Sequence, residues 1–170
     1  MVQIGADMLA VNMFPPYPGW DNFLELITRN LEIYKEVVEP KGIMRIGVRY
    51  INRFKFPPRE LEKADYFNLY PHLPSTIDQS HGPFNMVLLF AYENDRDGLN
   101  LRVGNPTPDQ TTAIEIDVDL DYFLSDPSTI NLDNAVEWIV NAHQTIENIF
   151  EASITDKCRE SMNRKSAQQS

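Results

Sequence analysis

Arg45, Arg49 and Arg53 recur at every fourth position of Ile43 to Phe56, a stretch in which apolar and polar residues alternate. Alternation with period two marks a strand with one buried face, so the three guanidinium groups share the opposite face. Guanidinium groups grip phosphate and carboxylate bidentately, which makes this row a candidate anion-binding ladder. A second stretch, Thr111 to Tyr122, sets Glu115, Asp117, Asp119 and Asp121 on one face and Ile114, Ile116, Val118 and Leu120 on the other. Asp117 and Asp119 are candidate ligands for Mg²⁺ or Ca²⁺, which take hard carboxylate oxygens, and the matching chemistry is metal-dependent hydrolysis. The spacing is not that of a calcium loop, which turns about a central glycine. The two rows also answer each other. If both apolar faces meet helices, both charged faces lie on the same side of the sheet, and neighbouring strands form an ion-pair ladder needing no ligand.

Three further residues stand at the opposite, apolar side. Tyr50 shares the apolar face of the first strand, Asn52 alone interrupts it, and His143 falls between Ile139 and Ile146 in a helical stripe. Together they would line a pocket between sheet and helix, with His143 as a general base or pH-sensitive group. Internal hydrogen bonding accounts for the same pattern without a ligand. No nucleophile is set against His143, since Ser153 and Cys158 share its helix, and His72, His81 and His143 form no spaced metal pair. With 7 glycines in all, the chain has no phosphate loop, no dinucleotide fingerprint, no G-x-S-x-G and no H-E-x-x-H. No cofactor is implied.

The elements that hold these residues follow from periodicity and punctuation. Val2 to Asn12 reads as two short strands about Gly5-Ala6-Asp7. Trp20 to Glu39 carries Trp20, Phe23, Leu24, Ile27, Leu31, Tyr34 and Val38 at helical spacing and stops at Pro40 and Gly42. After the Ile43–Phe56 strand comes a long connection, Pro57 to Pro83, with room for a short helix at Leu61 to Phe67. Three more strands are expected at Asn85 to Glu93, Leu99 to Gly104 and Thr111 to Tyr122, with Gly98 available for positive φ in the turn between the first two. Met86 to Tyr92 is apolar on both faces, which suits a central strand or a strand at a subunit interface. A last helix starts at an Asn131 cap and runs through His143, Phe150 and Ile154, with Trp20 and Trp138 anchoring the two helices. The expected fold is α+β: one mostly antiparallel sheet with two long helices packed on one face, a single domain over residues 1–162 and a disordered polar tail over 163–170.

Composition bounds the rest. The 170 residues are 42% hydrophobic and 24% charged, which is globular composition. A net charge of -10 repels phosphate backbones and argues against nucleic acid, while attracting basic proteins. One cysteine, Cys158, excludes an intramolecular disulfide, and no apolar run spans a membrane or makes a signal peptide. The cytoplasm is the expected compartment.

Four segments carry a resemblance: Tyr17-Pro18-Gly19-Trp20-Asp21-Asn22-Phe23, Arg45-Ile46-Gly47-Val48-Arg49-Tyr50-Ile51-Asn52-Arg53, Asp117-Val118-Asp119, and the closing helix from Ala142-His143 through Phe150-Glu151 to Ile154-Thr155-Asp156. Together they resemble a sporadically distributed family of uncharacterised prokaryotic proteins, with Arg-Tyr-Ile-Asn-Arg as the most specific string. The resemblance implies a prokaryotic source and an α+β fold, and it carries no catalytic residues with it. Members of that family usually have a further N-terminal region, which this chain lacks, as a fragment, a trimmed form or a short member would. The functional expectation is a non-enzymatic binding or protein-interaction module, engaging a protein partner or itself through the 57–83 connection and the Arg45/Arg49/Arg53 face. The alternatives are a small-molecule binder or enzyme using Tyr50, Asn52 or His143, and a metal-dependent hydrolase using Asp117 and Asp119.

Overall fold

The computed structural model describes residues 1–57, 61–77, 82–106 and 114–167. Parts of the Pro57–Pro83 connection and the start of the Thr111 strand therefore lie outside the described residues, while the short helix expected at Leu61 to Phe67 is a single 3-10 turn, Lys63–Asp65.

The chain opens with a hairpin, β1 (Val2–Ile4) against β2 (Leu9–Val11). Helix α1 (Trp20–Val38) follows, ended by Glu39 in the left-handed conformation with its N–H on the Lys35 carbonyl. Proline at position 40 disfavours a helical Glu39, so the helix closes one residue early. The sheet consists of β3 (Gly47–Phe56), β4 (Asn85–Tyr92), β5 (Asp97–Gly104) and β6 (Ile114–Leu124), ordered β3-β6-β5-β4 and antiparallel throughout. The β3-to-β4 connection crosses the whole sheet, and β4, β5 and β6 then meander back to β3. Helix α2 (Ala135–Ser153) lies over β3 and β6, and α3 (Asp156–Ala167) completes the layer. The fold is α+β, as expected.

Strand parity sorts the residues. Val48, Tyr122, Leu99 and Phe90 form one row of the inner face, Tyr50, Leu120, Leu101 and Leu88 the next, and Asn52, Val118, Val103 and Met86 the third. The β5 and β6 members of these rows are at most 4% exposed, beneath Trp138, Ile139, Ala142 and Ile146 of α2. Burial at about 25 cal/mol per Å² of apolar surface makes this layer the main source of stability. The outer rows read Arg49, Asp121, Asn100, Leu89 and then Ile51, Asp119, Arg102, Val87. No helix covers this side among the described residues.

Four expectations change. Strand β3 begins at Gly47, so Arg45 precedes the sheet, and Met44, expected on the apolar face, is 85% exposed. Met86 to Tyr92 is neither central nor covered on both sides; β4 is the sheet's edge. The β4–β5 turn is made by Glu93, Asn94 and Asp95, all with positive φ, while Gly98 sits inside β5 with no such need. Gly98 is instead small because the Phe123 ring lies over it: a Cβ there would stand 2.6 Å from the ring. Finally, the closing helix breaks at Ile154, which is extended and pairs with Phe67 in an isolated bridge. The Asn68 amide donates to the carbonyls of Ala152 (3.0 Å) and Ile154 (2.9 Å), satisfying carbonyls a continuing helix would have used. Thr155 then starts α3, its hydroxyl accepting from the Cys158 N–H.

Candidate functional site

The charged rows close on each other. Arg49 donates Nε to Asp119 Oδ1 at 2.8 Å and Nη2 to Oδ2 at 2.6 Å, and Arg53 makes the same fork to Asp117 at 2.8 Å on both arms. Lys55 reaches Glu115 at 2.7 Å. The acids lie low, with Asp119 at 11% side-chain exposure, and the cations lean over them at 49–61%. The hydrogen bonds to Asp119 and Asp117 raise the pKa of Arg49 and Arg53 above the ordinary arginine value. Half-exposed pairs of this kind are worth about 0–1 kcal/mol each, less at high salt. Arg45 is exposed and joins no ion pair among the described residues. Asp117 and Asp119 are engaged by arginines, and among the described residues no three of His, Cys, Asp and Glu converge as metal ligands.

Tyr50 and His143 do come together, through residues that α1 supplies. The His143 imidazole stacks on Trp20 with centroids 3.7 Å apart and planes 15° off parallel, and Tyr50 lies 5.6 Å away. Tyr17 meets Tyr50 edge to face, their hydroxyls 3.3 Å apart. Burial first, and the Tyr17 hydroxyl second, hold the Tyr50 phenol far above its ordinary pKa. Burial lowers the pKa of His143, partly opposed by Glu147 one turn along the helix. His143 Nδ1 is buried without a hydrogen-bond partner. Asn52 is not part of this group; its amide donates to the Val118 carbonyl across the strand pair at 3.4 Å. The space between sheet and helices is thus filled by rings, an arrangement that fixes α1 to the fold.

One node escaped the sequence reading. Asp97, 2% exposed, accepts from Trp138 Nε1 (3.0 Å), Tyr122 Oη (3.1 Å) and both arms of Arg96 (3.2 and 2.6 Å). Burial, then the Asp97 charge, push the Tyr122 phenol well above its usual pKa. An open groove of about 460 Å³ lies above this node, edged by Glu93, Asn141 and Thr145. The signal was parity: Asp97 shares its face with Leu99, Leu101 and Val103, so once it belongs to the strand it must point inward.

The least satisfied surface is β4. Its residues Asn85–Tyr92 contain no charge and no proline, and Val87 and Leu89 are 52% and 72% exposed on the outer face. Phe90, on the core side, is still 39% exposed. Among the described residues the backbone of β4 bonds only to β5. Natural sheets blunt such edges with lysine, proline, bulges or a covering element, and among the described residues β4 shows none of these. Its counterpart across the sheet, β3, carries Arg49, Arg53 and Lys55.

Comparison with known proteins gives no match to any family model, curated protein or solved structure. No helix among the described residues is long and apolar enough to cross a membrane.

Proposed function

We propose that this chain is a non-enzymatic protein-interaction module that works from the cytoplasm and engages another polypeptide along strand β4. The observation carrying this reading is the exposure of an uncharged edge strand, with Leu89 at 72%, beside an otherwise charged face. Strand addition to such an edge satisfies its backbone N–H and C=O groups, while pockets for alternate side chains supply selectivity. The reading differs from the expected recognition surface. The Arg49 and Arg53 groups are spent on Asp119 and Asp117, and the neutral edge offers a partner apolar area that the ladder does not. The net charge of -10 adds a preference for basic polypeptides at long range.

A photo-crosslinking side chain placed at position 89 tests the reading in living cells. It should form adducts with a polypeptide, whereas the same group at Val140, 37% exposed on α2, should not. Absence of adducts at 89, or equal adducts at both positions, overturns it.

A further inference from the structure

The geometry points to a second copy of this chain as the occupant of β4, the two edges pairing antiparallel about a two-fold axis at Leu89 to continue the sheet. This inference rests on the reading of β4 as an interaction edge and names its partner.

The first ground is self-complementarity. In an antiparallel pair, directly opposed residues share a face, so the two residue numbers of each pair must sum to an even value. Centring the axis on Leu89 sets Leu89 against its own copy and Val87 against Ala91 on the outer face. The same register sets Leu88 against Phe90 and Met86 against Tyr92 on the inner face. All seven residues of the uncharged window Met86–Tyr92 then meet apolar partners. Centring on Leu88 instead sets polar Asn85 against Ala91, and centring on Phe90 runs β4 into the left-handed Glu93–Asp95 turn of the other copy.

The second ground is room. Helix α2 lies over β3 and β6, at the far side of the sheet from β4, so a second sheet can join without meeting α2. The inner face of β4, where Phe90 is 39% exposed, then gains an equivalent surface from the partner. The third is charge. A chain of net charge -10 repels its copy, and the approach is least opposed where the strand is neutral. In the Leu89-centred register the position opposite Asn85 is Glu93. Arg102, whose Nε donates to Asn85 Oδ1 at 2.9 Å, therefore sits at the end where the other copy brings an acid, once at each end of the pair. The contact is isologous and closes at two copies, because the other edge carries charged β3.

The test uses the purified chain alone. Light scattering across a concentration series should give a mass approaching twice 19.6 kDa, and Leu89→Lys should return it to 19.6 kDa with an unchanged circular dichroism spectrum. Leu89→Cys should form a disulfide-linked dimer on mild oxidation, because its copy lies directly opposite, while Cys158, 0% exposed, gives no background. Glu93→Cys with Asn85→Cys should crosslink in the same way. A monomeric wild-type chain at every concentration, or a dimer untouched by Leu89→Lys, overturns the proposal. A monomer that still crosslinks to other polypeptides through position 89 in cells overturns the second copy alone and leaves the interaction edge standing.

Discussion

Replacing Asp97 by alanine is the sharpest test of how the sheet and α2 are held together. The carboxylate accepts four hydrogen bonds at 2.6–3.2 Å, two of them from the buried Trp138 N–H and Tyr122 O–H. In Asp97→Ala those two donors, on side chains at most 4% exposed, lose their acceptor, at about 1–3 kcal/mol each. Arg96 has a side chain 34% exposed, so it re-enters water and adds little. The sum is about 2–6 kcal/mol. For a chain of this size it corresponds to a fall of about 4–24 °C in Tm. Urea denaturation followed by tryptophan fluorescence measures it, as a shift in midpoint at constant slope. Tyr122→Phe removes one donor and should cost only about 1 kcal/mol. The two substitutions made together should cost less than their sum, because the phenol has no bond left to lose. A loss below about 1 kcal/mol for Asp97→Ala would show that the node is re-solvated through the groove above it, and would refute the argument.

The remaining predictions use the same denaturation measurement. Arg53→Ala should lose at most about 1 kcal/mol, and the loss should shrink further in high salt, since its fork to Asp117 is half exposed. His143 has its folded pKa below the unfolded value of about 6.5, so the unfolded state takes up the proton first. Stability therefore falls as pH drops below about 6.5, and His143→Phe, which keeps the stack on Trp20, should remove that pH dependence; a dependence of unchanged size in the variant would assign it to another group. Gly104→Ala should destabilise by about 1–3 kcal/mol, because the new Cβ would lie 2.5 Å from the Phe84 carbonyl and 2.8 Å from Asn85 Cα, both backbone. Gly98→Ala should cost less, since the clashing atom is the end of the Phe123 side chain, which can swing into solvent.

Much of this fold is legible in the sequence because its strands alternate cleanly. The acidic face of β6 and the basic face of β3 predicted the ladder that forms, and parity alone put both on one side of the sheet. What failed were the junctions. Arg45 keeps the period of Arg49 and Arg53, yet the strand ends at Gly47, because pairing with β6 stops at Phe123 and period says nothing of a partner's length. Asp97 and Gly98 belong to composition typical of turns, but three consecutive left-handed residues, Glu93 to Asp95, finish the turn first and leave Asp97 facing the core. Ile154 fits the helical stripe and is fully buried; its backbone is drawn out of the helix by Phe67 and Asn68, nearly ninety positions away in the chain. The apolar run Met86–Tyr92 was ambiguous for a physical reason: an uncharged edge strand and a central strand can carry the same residues.

Amide hydrogen exchange at two protein concentrations, one below and one above the onset of association, tests the central claim about β4 most directly. The account predicts that exchange across Met86–Tyr92 slows at the higher concentration while α1 and β3 are unchanged. Equal exchange in β4 at both concentrations, or protection that appears on α1 or β3 instead, would contradict it.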